Sequence, residues 1–138
     1  RYTETDIEIF VNSNTSKVFA WSISDKFGDN GITGLCIFKL NDNHAEIDTF
    51  LMSCRIIGRN IEFSVIDFII DNLKKLNIDT ITAKYIQTAK NAQVADFYKK
   101  CSFDVLVETI TETTFTVEPQ NYLTKNINYI KLENGNKN

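Results

Sequence analysis

The chain has 138 residues, of which 43% are hydrophobic and 24% are charged. A chain of this length and composition can bury a core, which excludes a fibrous or disordered protein. Its 15 basic and 18 acidic side chains give a formal net charge of −3, so no basic excess is available to neutralise nucleic-acid phosphates. No apolar run is long enough to span a membrane and no signal peptide is visible, so we predict a cytoplasmic protein without nucleic-acid or membrane partners.

The first half of the chain predicts a set of strands. Residues 4–10 fit a short helix or a strand equally well. Residues 25–34 contain three of the five glycines (Gly28, Gly31 and Gly34), which predicts a turn. A second turn is predicted over Asn41–His44, with His44 solvated there. Aromatic and β-branched residues predict strands over 17–24, 35–40 and 45–54, the last of them buried on both faces.

The second half alternates helices and strands. Residues 59–76 predict an amphipathic helix, because Phe63, Ile66 and Ile70 recur at helical spacing while Glu62 and Asp67 belong to a polar face. A strand is predicted over 78–86, a second helix over 91–101 and a hairpin from 103–108 and 113–117, before an Asn- and Lys-rich tail. This order predicts an α/β or α+β domain with a mixed sheet, in which the long helix forms a right-handed crossover between two strands.

The turn between the strand 45–54 and the long helix is a candidate anion site. Unpaired amides at a helix N-terminus attract anions, and Arg55 and Arg59 add positive charge on either side of Gly58. A phosphate or pyrophosphate suits this position. An ordinary turn with two solvated arginines explains the same residues equally well.

The chain has three cysteines, without a C-x-x-C pair, and one histidine. This pattern favours neither a disulfide framework nor a metal site, and we predict no metal. Cys36 and Cys101 are predicted core residues. Cys54 lies beside Arg55 at the predicted strand end, where a thiol pKa is lowered, so it is a candidate nucleophile as well as a candidate buried hydrophobe. Tyr98 is either a general acid toward a departing thiolate or a buried helix-face aromatic.

Two stretches resemble the sequence motifs of the GNAT acyltransferases. Arg55-x-x-Gly58-x-Asn60 is similar to motif A, whose loop amides hold the pyrophosphate of coenzyme A, although Asn60 stands where the family has Gly or Ala. The stretch from Asn91 to Phe103 is similar to motif B, which supplies a tyrosine facing the thiolate, here Tyr98, although Ser102 replaces the usual Gly. The resemblance implies that the residues binding the cofactor are Arg55, Ile57, Gly58, Arg59, Asn60 and Asn91.

That resemblance also implies a fold and an activity. The expected fold is a mixed, mostly antiparallel sheet flanked by helices and splayed at its centre near Cys54. The expected enzyme is a coenzyme A-dependent N-acyltransferase with Tyr98 as general acid and Glu46 or Asp48 as a candidate base.

A longer resemblance, over residues 1–4, 25–34, 47–59 and 88–91, is to the C-terminal domain of FkbH-like proteins. It implies an acyltransferase domain over 1–118, a tail over 119–138 and an N-terminal HAD-type phosphatase domain that is absent from this chain; the start at Arg1 without Met fits an excised domain. FkbH-like proteins of polyketide pathways take a glyceryl unit from 1,3-bisphosphoglycerate and place it on an acyl carrier protein.

The FkbH-like resemblance is the preferred interpretation of function. It makes Cys54 the acyl-accepting nucleophile, with Arg55 and the following amides stabilising phosphate or oxyanion. The acyl acceptor is then the phosphopantetheine of a carrier protein, and the other partner is the HAD-type domain. No tightly bound cofactor is expected, and coenzyme A or carrier-borne phosphopantetheine serves as acyl donor or acceptor. A non-catalytic module that docks the carrier protein or the phosphatase domain is a further alternative.

Overall fold

The structure is a computed structural model that describes residues 3–25, 28–52, 60–88 and 96–125. Its helices and strands alternate in the second half of the chain, as the sequence predicts. In chain order they are α1 (Glu4–Val11), β1 (Ser16–Asp25), β2 (Gly28–Asn41), β3 (His44–Met52), α2 (Ile61–Lys75), β4 (Thr80–Ile86), α3 (Phe97–Lys100), β5 (Asp104–Glu108), β6 (Glu112–Val117) and a 3₁₀ turn (Pro119–Asn121). Within the described ranges, no helix has the length and hydrophobicity needed to cross a bilayer.

The six strands form one mixed sheet with the order β1-β2-β3-β4-β6-β5. Neighbouring strands are antiparallel except β3 and β4, which are parallel and are joined through α2. The predicted mixed, mostly antiparallel sheet flanked by helices is therefore confirmed. A chain can return to a parallel neighbour only by a long crossover, and α2 provides it.

Helix α2 begins and ends close to the predicted positions. Its last turn carries Lys74 and Lys75, whose charges suit the negative end of the helix dipole. The chain then leaves the helix at Asn77, which adopts a left-handed backbone with a φ of 63°. The Asn77 amide donates to Lys74 and the Ile78 amide donates to Leu73, which is the hydrogen-bond pattern of a Schellman motif. Asn77 therefore ends the helix.

Residues 4–10, which the sequence left open, lie in helix α1. Thr3 caps this helix: its hydroxyl accepts from the Asp6 amide, and the Asp6 carboxylate accepts from the Thr3 amide. This reciprocal pair holds the pKa of Asp6 below its ordinary value, chiefly through the backbone hydrogen bond. Local capping therefore decides in favour of the helix.

The prediction of a turn over residues 25–34 is wrong, because most of these residues belong to strand β2. Strand β2 begins at Gly28, and its pairing with β1 continues from Asp25 opposite Gly28 to Ser16 opposite Lys39. The register of this ladder shifts at two places. Each shift is a β-bulge or a similar irregularity, which a glycine-rich strand accommodates easily. At Gly34 the indole ring of Trp21 lies where a β-carbon would stand, so this glycine provides room for an aromatic ring from the neighbouring strand.

Strand β3 differs from its prediction in two respects. It is not buried on both faces: Ala45 and Ile47 are buried, while the residues between and after them are half-buried or exposed. His44 is not a solvated turn residue but the first residue of the strand, and its Nε2 lies 3.0 Å from the hydroxyl of Thr82. A strand with one face toward helices alternates in burial, and β3 shows that alternation at its start.

The segment after Pro119 packs back on α2 as far as the structure describes it. The Tyr122 hydroxyl donates to Asp67 Oδ1 over 2.5 Å, and the Lys125 amide donates to both Asp67 oxygens at 3.0 Å. The sequence predicts Asp67 on the polar face of α2. In the structure, Tyr122 and Lys125 cover this part of the face. The predicted domain boundary at 118 stays a prediction.

Candidate functional site

The sheet divides at its centre. The β3–β4 ladder covers four residue pairs, from His44 opposite Thr80 to Ile47 opposite Ala83. Beyond these pairs β3 continues to Met52 on its β2 neighbour, and β4 continues to Ile86 on its β6 neighbour. We call the space between Asp48–Met52 and Lys84–Ile86 the split. The end of this ladder agrees with the predicted splayed centre, although Cys54, near which it was predicted, lies outside the described residues. An opening between parallel strands can admit an extended ligand.

Asp48 lies where the split begins. Ile37 pairs with Thr49 and Phe38 with Ile47, so Asp48 is the extra residue of a β-bulge. Its carboxylate accepts from the Thr49 hydroxyl at 2.9 Å and lies 3.2 Å from the Lys39 ammonium. Of the two candidate bases, Asp48 is therefore beside the split, whereas Glu46 pairs with Thr82 inside the ladder. His44 is further along the ladder, at the opposite end of β3.

A group of aromatic side chains connects helices α2 and α3 to the open end of β3. The Phe50 ring lies 5.6 Å from Trp21 and 5.0 Å from Phe97, between ring centroids. The Phe97 ring in turn lies 6.3 Å from Phe63 in the first turn of α2. Ring pairs at these distances pack favourably. We call Trp21, Phe50, Phe63 and Phe97 the aromatic cluster; it places α3 and the start of α2 beside the split.

Tyr98 extends inward from α3. Its side chain is 9% exposed, and its ring contacts those of Phe97, Phe103 and Phe115 at centroid distances of 5.3–5.5 Å. Burial raises the pKa of the Tyr98 phenol well above its ordinary value, and the negative charges that Cys36 and Cys101 would carry raise it further. The phenol therefore stays protonated, which a general acid requires. Its catalytic role stays a prediction.

The two departures from the GNAT motifs share one backbone property. Asn60, which precedes α2, has a φ of 66°, and Ser102, which follows α3, has a φ of 68°. Both stand where the motifs have a small residue or glycine. Glycine adopts this left-handed conformation without penalty and other residues do so at a cost. Asn60 and Ser102 are therefore sites of backbone strain that glycine would relieve.

Replacing Ser102 with glycine is expected to raise the free energy of unfolding by about 1 kcal/mol, because it relieves this strain. The exposed hydrogen bond that Lys125 donates to Ser102 is lost, at a smaller cost. Chemical denaturation measures the effect. The matched control is Lys100→Gly, in the last turn of α3, where glycine is expected to lower stability by about 1 kcal/mol. A Ser102→Gly variant as destabilised as Lys100→Gly would contradict the prediction.

Cys36 and Cys101 are confirmed as core residues. Both are fully buried free thiols. Burial raises the pKa of Cys36 well above 9.0, its ordinary value. Burial likewise raises the pKa of Cys101 to about 12; the Lys125 charge opposes this rise, and those of Glu62 and Asp67 add to it. Thiols held in the protonated form are poor nucleophiles.

Alkaline pH is expected to destabilise the fold. The thiols of Cys36 and Cys101 and the phenols of Tyr98 and Tyr122 have raised pKa values, in Tyr122 through burial and then its hydrogen bond to Asp67. Their stabilisation is complete below the unfolded-state values of 9.0 and 10.0 and is lost as the pH rises toward the folded-state values. Denaturation midpoints should be constant near neutral pH and fall above about pH 9. A midpoint unchanged at about pH 11 would contradict this.

Most of the predicted site residues lie outside the described residues. These are Cys54, Arg55, Ile57, Gly58, Arg59 and Asn91. Asn60 and Tyr98 are described, and they lie at the start of α2 and within α3, next to the two ends of the aromatic cluster. Among the described residues, no group of three or more metal-ligating side chains occurs.

Sequence reasoning missed one residue near the site. Glu62, assigned to the polar face of α2, is 6% exposed. The start of α2 is buried on nearly all sides, because Ile61, Ser64, Val65 and Ile66 are buried as well. An acidic residue in the first turn of a helix is ordinarily explained by the helix dipole, so the sequence carried no signal of its burial.

Solved structures that are similar to this chain include N-acetyltransferases. The PaiA N-acetyltransferase from Thermoplasma acidophilum, solved in complex with coenzyme A, is 17% identical with a TM-score of 0.56, over 63% of this chain and 54% of its own. The ribosomal-protein-S18-alanine N-acetyltransferase from Escherichia coli is 12% identical with a TM-score of 0.63, over 85% and 77% of the two chains. A chimera of the spermidine N-acetyltransferase SpeG from Vibrio cholerae is 15% identical with a TM-score of 0.66, over 86% and 76%.

This chain thus spans about half the length of the PaiA enzyme. No protein-family model matches the sequence, and no curated protein sequence matches it. Sequence identities this low support a shared fold and not a shared substrate. The chain has the fold of the GNAT N-acetyltransferases.

Proposed function

We propose that this chain is an acyltransferase that uses coenzyme A thioesters. The observation that carries the proposal is the split, bordered by the aromatic cluster and the start of α2, in a fold shared with N-acetyltransferases that include a coenzyme A complex. A thioester arm that lies between β3 and β4 brings its acyl group toward Asp48 at the closed end. Its diphosphate then lies toward the amides at the start of α2.

The residues beside the split supply the chemistry of acyl transfer to an amine. Asp48 is placed to accept a proton from the attacking amine, directly or through water, because it lies at the bulge where the split begins. Tyr98 returns a proton to the departing thiolate, since its buried phenol is protonated. Backbone amides of the bulge are candidates to stabilise the oxyanion that forms on the acyl carbon.

The experiment is calorimetric titration of the chain with coenzyme A, followed by an assay of acetyl-coenzyme A consumption with a panel of amines. Binding that weakens when Gly58 and Arg59 are replaced, together with turnover that needs an amine, supports the proposal. The control is replacement of Lys74 by Ala in the last turn of α2, which removes a positive charge at the end of the helix far from the split. Absence of coenzyme A binding at millimolar concentration would refute the proposal.

Glyceryl transfer to an acyl carrier protein is a second proposal, suggested by the resemblance of residues 47–59 to FkbH-like proteins. It predicts that a three-carbon acyl group is found on Cys54 when the chain is incubated with a HAD-type phosphatase domain and 1,3-bisphosphoglycerate. Mass spectrometry of this chain and of its Cys54→Ala variant under those conditions tests it. Equal acylation of both would end this proposal. Carrier-protein binding that survives Cys54→Ala and Tyr98→Phe without turnover would indicate a docking module.

A further inference from the structure

Strand β5 is an exposed apolar edge of the sheet. In the part of the chain that the structure describes, β5 is the last strand of the sheet and pairs only with β6. Its three central residues, Val105, Leu106 and Val107, are 43%, 58% and 57% exposed. An edge strand has unpaired backbone N–H and C=O groups on its outer side, and proteins usually cover such edges. Three consecutive exposed apolar residues on this edge therefore indicate a surface that another segment covers.

The segment that packs on α2 brings the chain to the beginning of this edge. The Lys125 amide donates to Asp67 of α2, and the Lys125 ammonium donates to the Ser102 hydroxyl over 2.7 Å. Ser102 comes two residues before β5 begins at Asp104. The chain at Lys125 is thus held next to the start of β5, and residues 126–138 continue from that point.

The contact between Lys125 and Ser102 defines a register for the residues that follow. With Lys125 opposite Ser102 and the chain running in the direction of β5, Lys131 comes opposite or next to Glu108, since each lies six positions further along. The register shift at Leu106 accounts for a displacement of one residue. Six extended residues span about 20 Å, which is enough to follow the whole of β5. Opposite charges therefore meet at the far end of the edge, where a cross-strand pair is favourable.

The apolar residues of the two segments match in the same register. Tyr129 and Ile130 come opposite Leu106 and Val107, and aromatic and β-branched residues of this kind are common in strands. The five residues of β5 carry no positive charge, so a basic residue is the complement that the edge requires beside its apolar centre.

A second copy of β5 is a poorer match to this edge. Two copies of β5 paired antiparallel about Leu106 bring Asp104 of each copy opposite Glu108 of the other. Like charges directly opposite each other destabilise a strand pair.

We propose that residues 126–131 of this chain dock on the outer edge of β5 as an added parallel strand. We call these residues the docking segment. Their docking covers the apolar edge and protects it from pairing with other chains. The inference concerns the sheet edge and does not depend on the proposed acyl transfer.

The test is hydrogen exchange of the full chain, measured residue by residue by NMR, for Ile130→Asp and Asn136→Asp. Each variant adds one negative charge after Lys125, but only Ile130 belongs to the docking segment. In Ile130→Asp, the β5 amides that do not bond to β6 should exchange about 10-fold faster than in the wild type, because an apolar contact is lost and an acid is placed near Glu108. Asn136→Asp should keep the wild-type rates. Amides of α2 should be unchanged in both variants, which shows that the fold is intact.

Exchanging two charges tests the register. Lys131→Glu and Glu108→Lys should each raise the exchange rate of the same β5 amides by about 2- to 5-fold. The double variant should restore the wild-type rate, which only a direct contact between the two side chains explains.

Other results would overturn the proposal. Outer β5 amides that exchange in the wild type as fast as unprotected amides would show that the edge is bare. Equal rates in Ile130→Asp and Asn136→Asp would exclude the docking segment as the cover. Protection of β5 that rises with protein concentration would show that a second copy covers the edge instead. Failure of coenzyme A binding would refute the proposed function and leave this inference unaffected.

Discussion

Replacing Tyr98 with phenylalanine is expected to slow acyl transfer by about 100- to 10,000-fold, the usual contribution of a positioned general acid. The substitution removes only the hydroxyl, so the ring contacts with Phe103 and Phe115 remain. Because burial keeps the phenol protonated, the wild-type rate should show no loss attributable to Tyr98 below about pH 10. The turnover number, measured as thiol release from acetyl-coenzyme A, checks both statements.

The matched control is Tyr122→Phe, which makes the same chemical change away from the split. The Tyr122 hydroxyl donates to Asp67, so its loss should lower the free energy of unfolding by about 1.5–3 kcal/mol. The turnover number should be unaffected. A Tyr98→Phe variant with full turnover would show that Tyr98 serves only as an aromatic core residue.

Replacing Phe115 with alanine is expected to lower the free energy of unfolding by about 3–5 kcal/mol. This ring is 1% exposed, and it packs 5.4 Å from Tyr98 between β4 and β5. A loss of this size is a large part of the stability of an ordinary domain and should lower the melting temperature by roughly 10–20 °C. Tyr98 also loses a neighbour that fixes its ring, so turnover should fall even at temperatures where the variant is folded.

Thermal and chemical denaturation of Ile110→Ala provide the comparison for Phe115→Ala. Ile110 belongs to the connection between β5 and β6 and is 96% exposed, so the change should stay within about 0.5 kcal/mol. Similar losses at the two positions would contradict the assignment of Phe115 to the core.

The elements that the sequence predicts well are those with local signals. Helix α2 follows from its apolar spacing, and the hairpin of β5 and β6 follows from its β-branched residues. The extent of β2 does not follow, because glycines indicate a turn whether they form one or lie at bulges opposite another strand. The order β4-β6-β5 is also missed, since strand order depends on packing and not on any local pattern.

The site is predictable only in part for a related reason. Tyr98 and the start of α2 follow from motif spacing; the structure places the start of α2 near the split through the aromatic cluster, whereas Tyr98 packs inward on Phe103 and Phe115. The bulge at Asp48 arises from the register between β2 and β3. The sequence of β3 alone therefore does not predict it. The burial of Glu62 depends on how α3 packs against α2, and the contact of Asp67 depends on a segment 55 residues further along the chain.

The divided sheet has a mechanical consequence. Two half-sheets of three strands each are held together along β3 and β4 by a ladder of only four residue pairs, all at one end. The two half-sheets can therefore rotate relative to each other about the last pair of the ladder, Ile47 and Ala83. A ligand that enters from the open end breaks no hydrogen bond of that ladder. A small rotation of one half-sheet about the ladder changes the distance between β3 and β4 most at the open end. Such a sheet can adapt the width of the split to ligands of different size while the strand pairing within each half-sheet is kept.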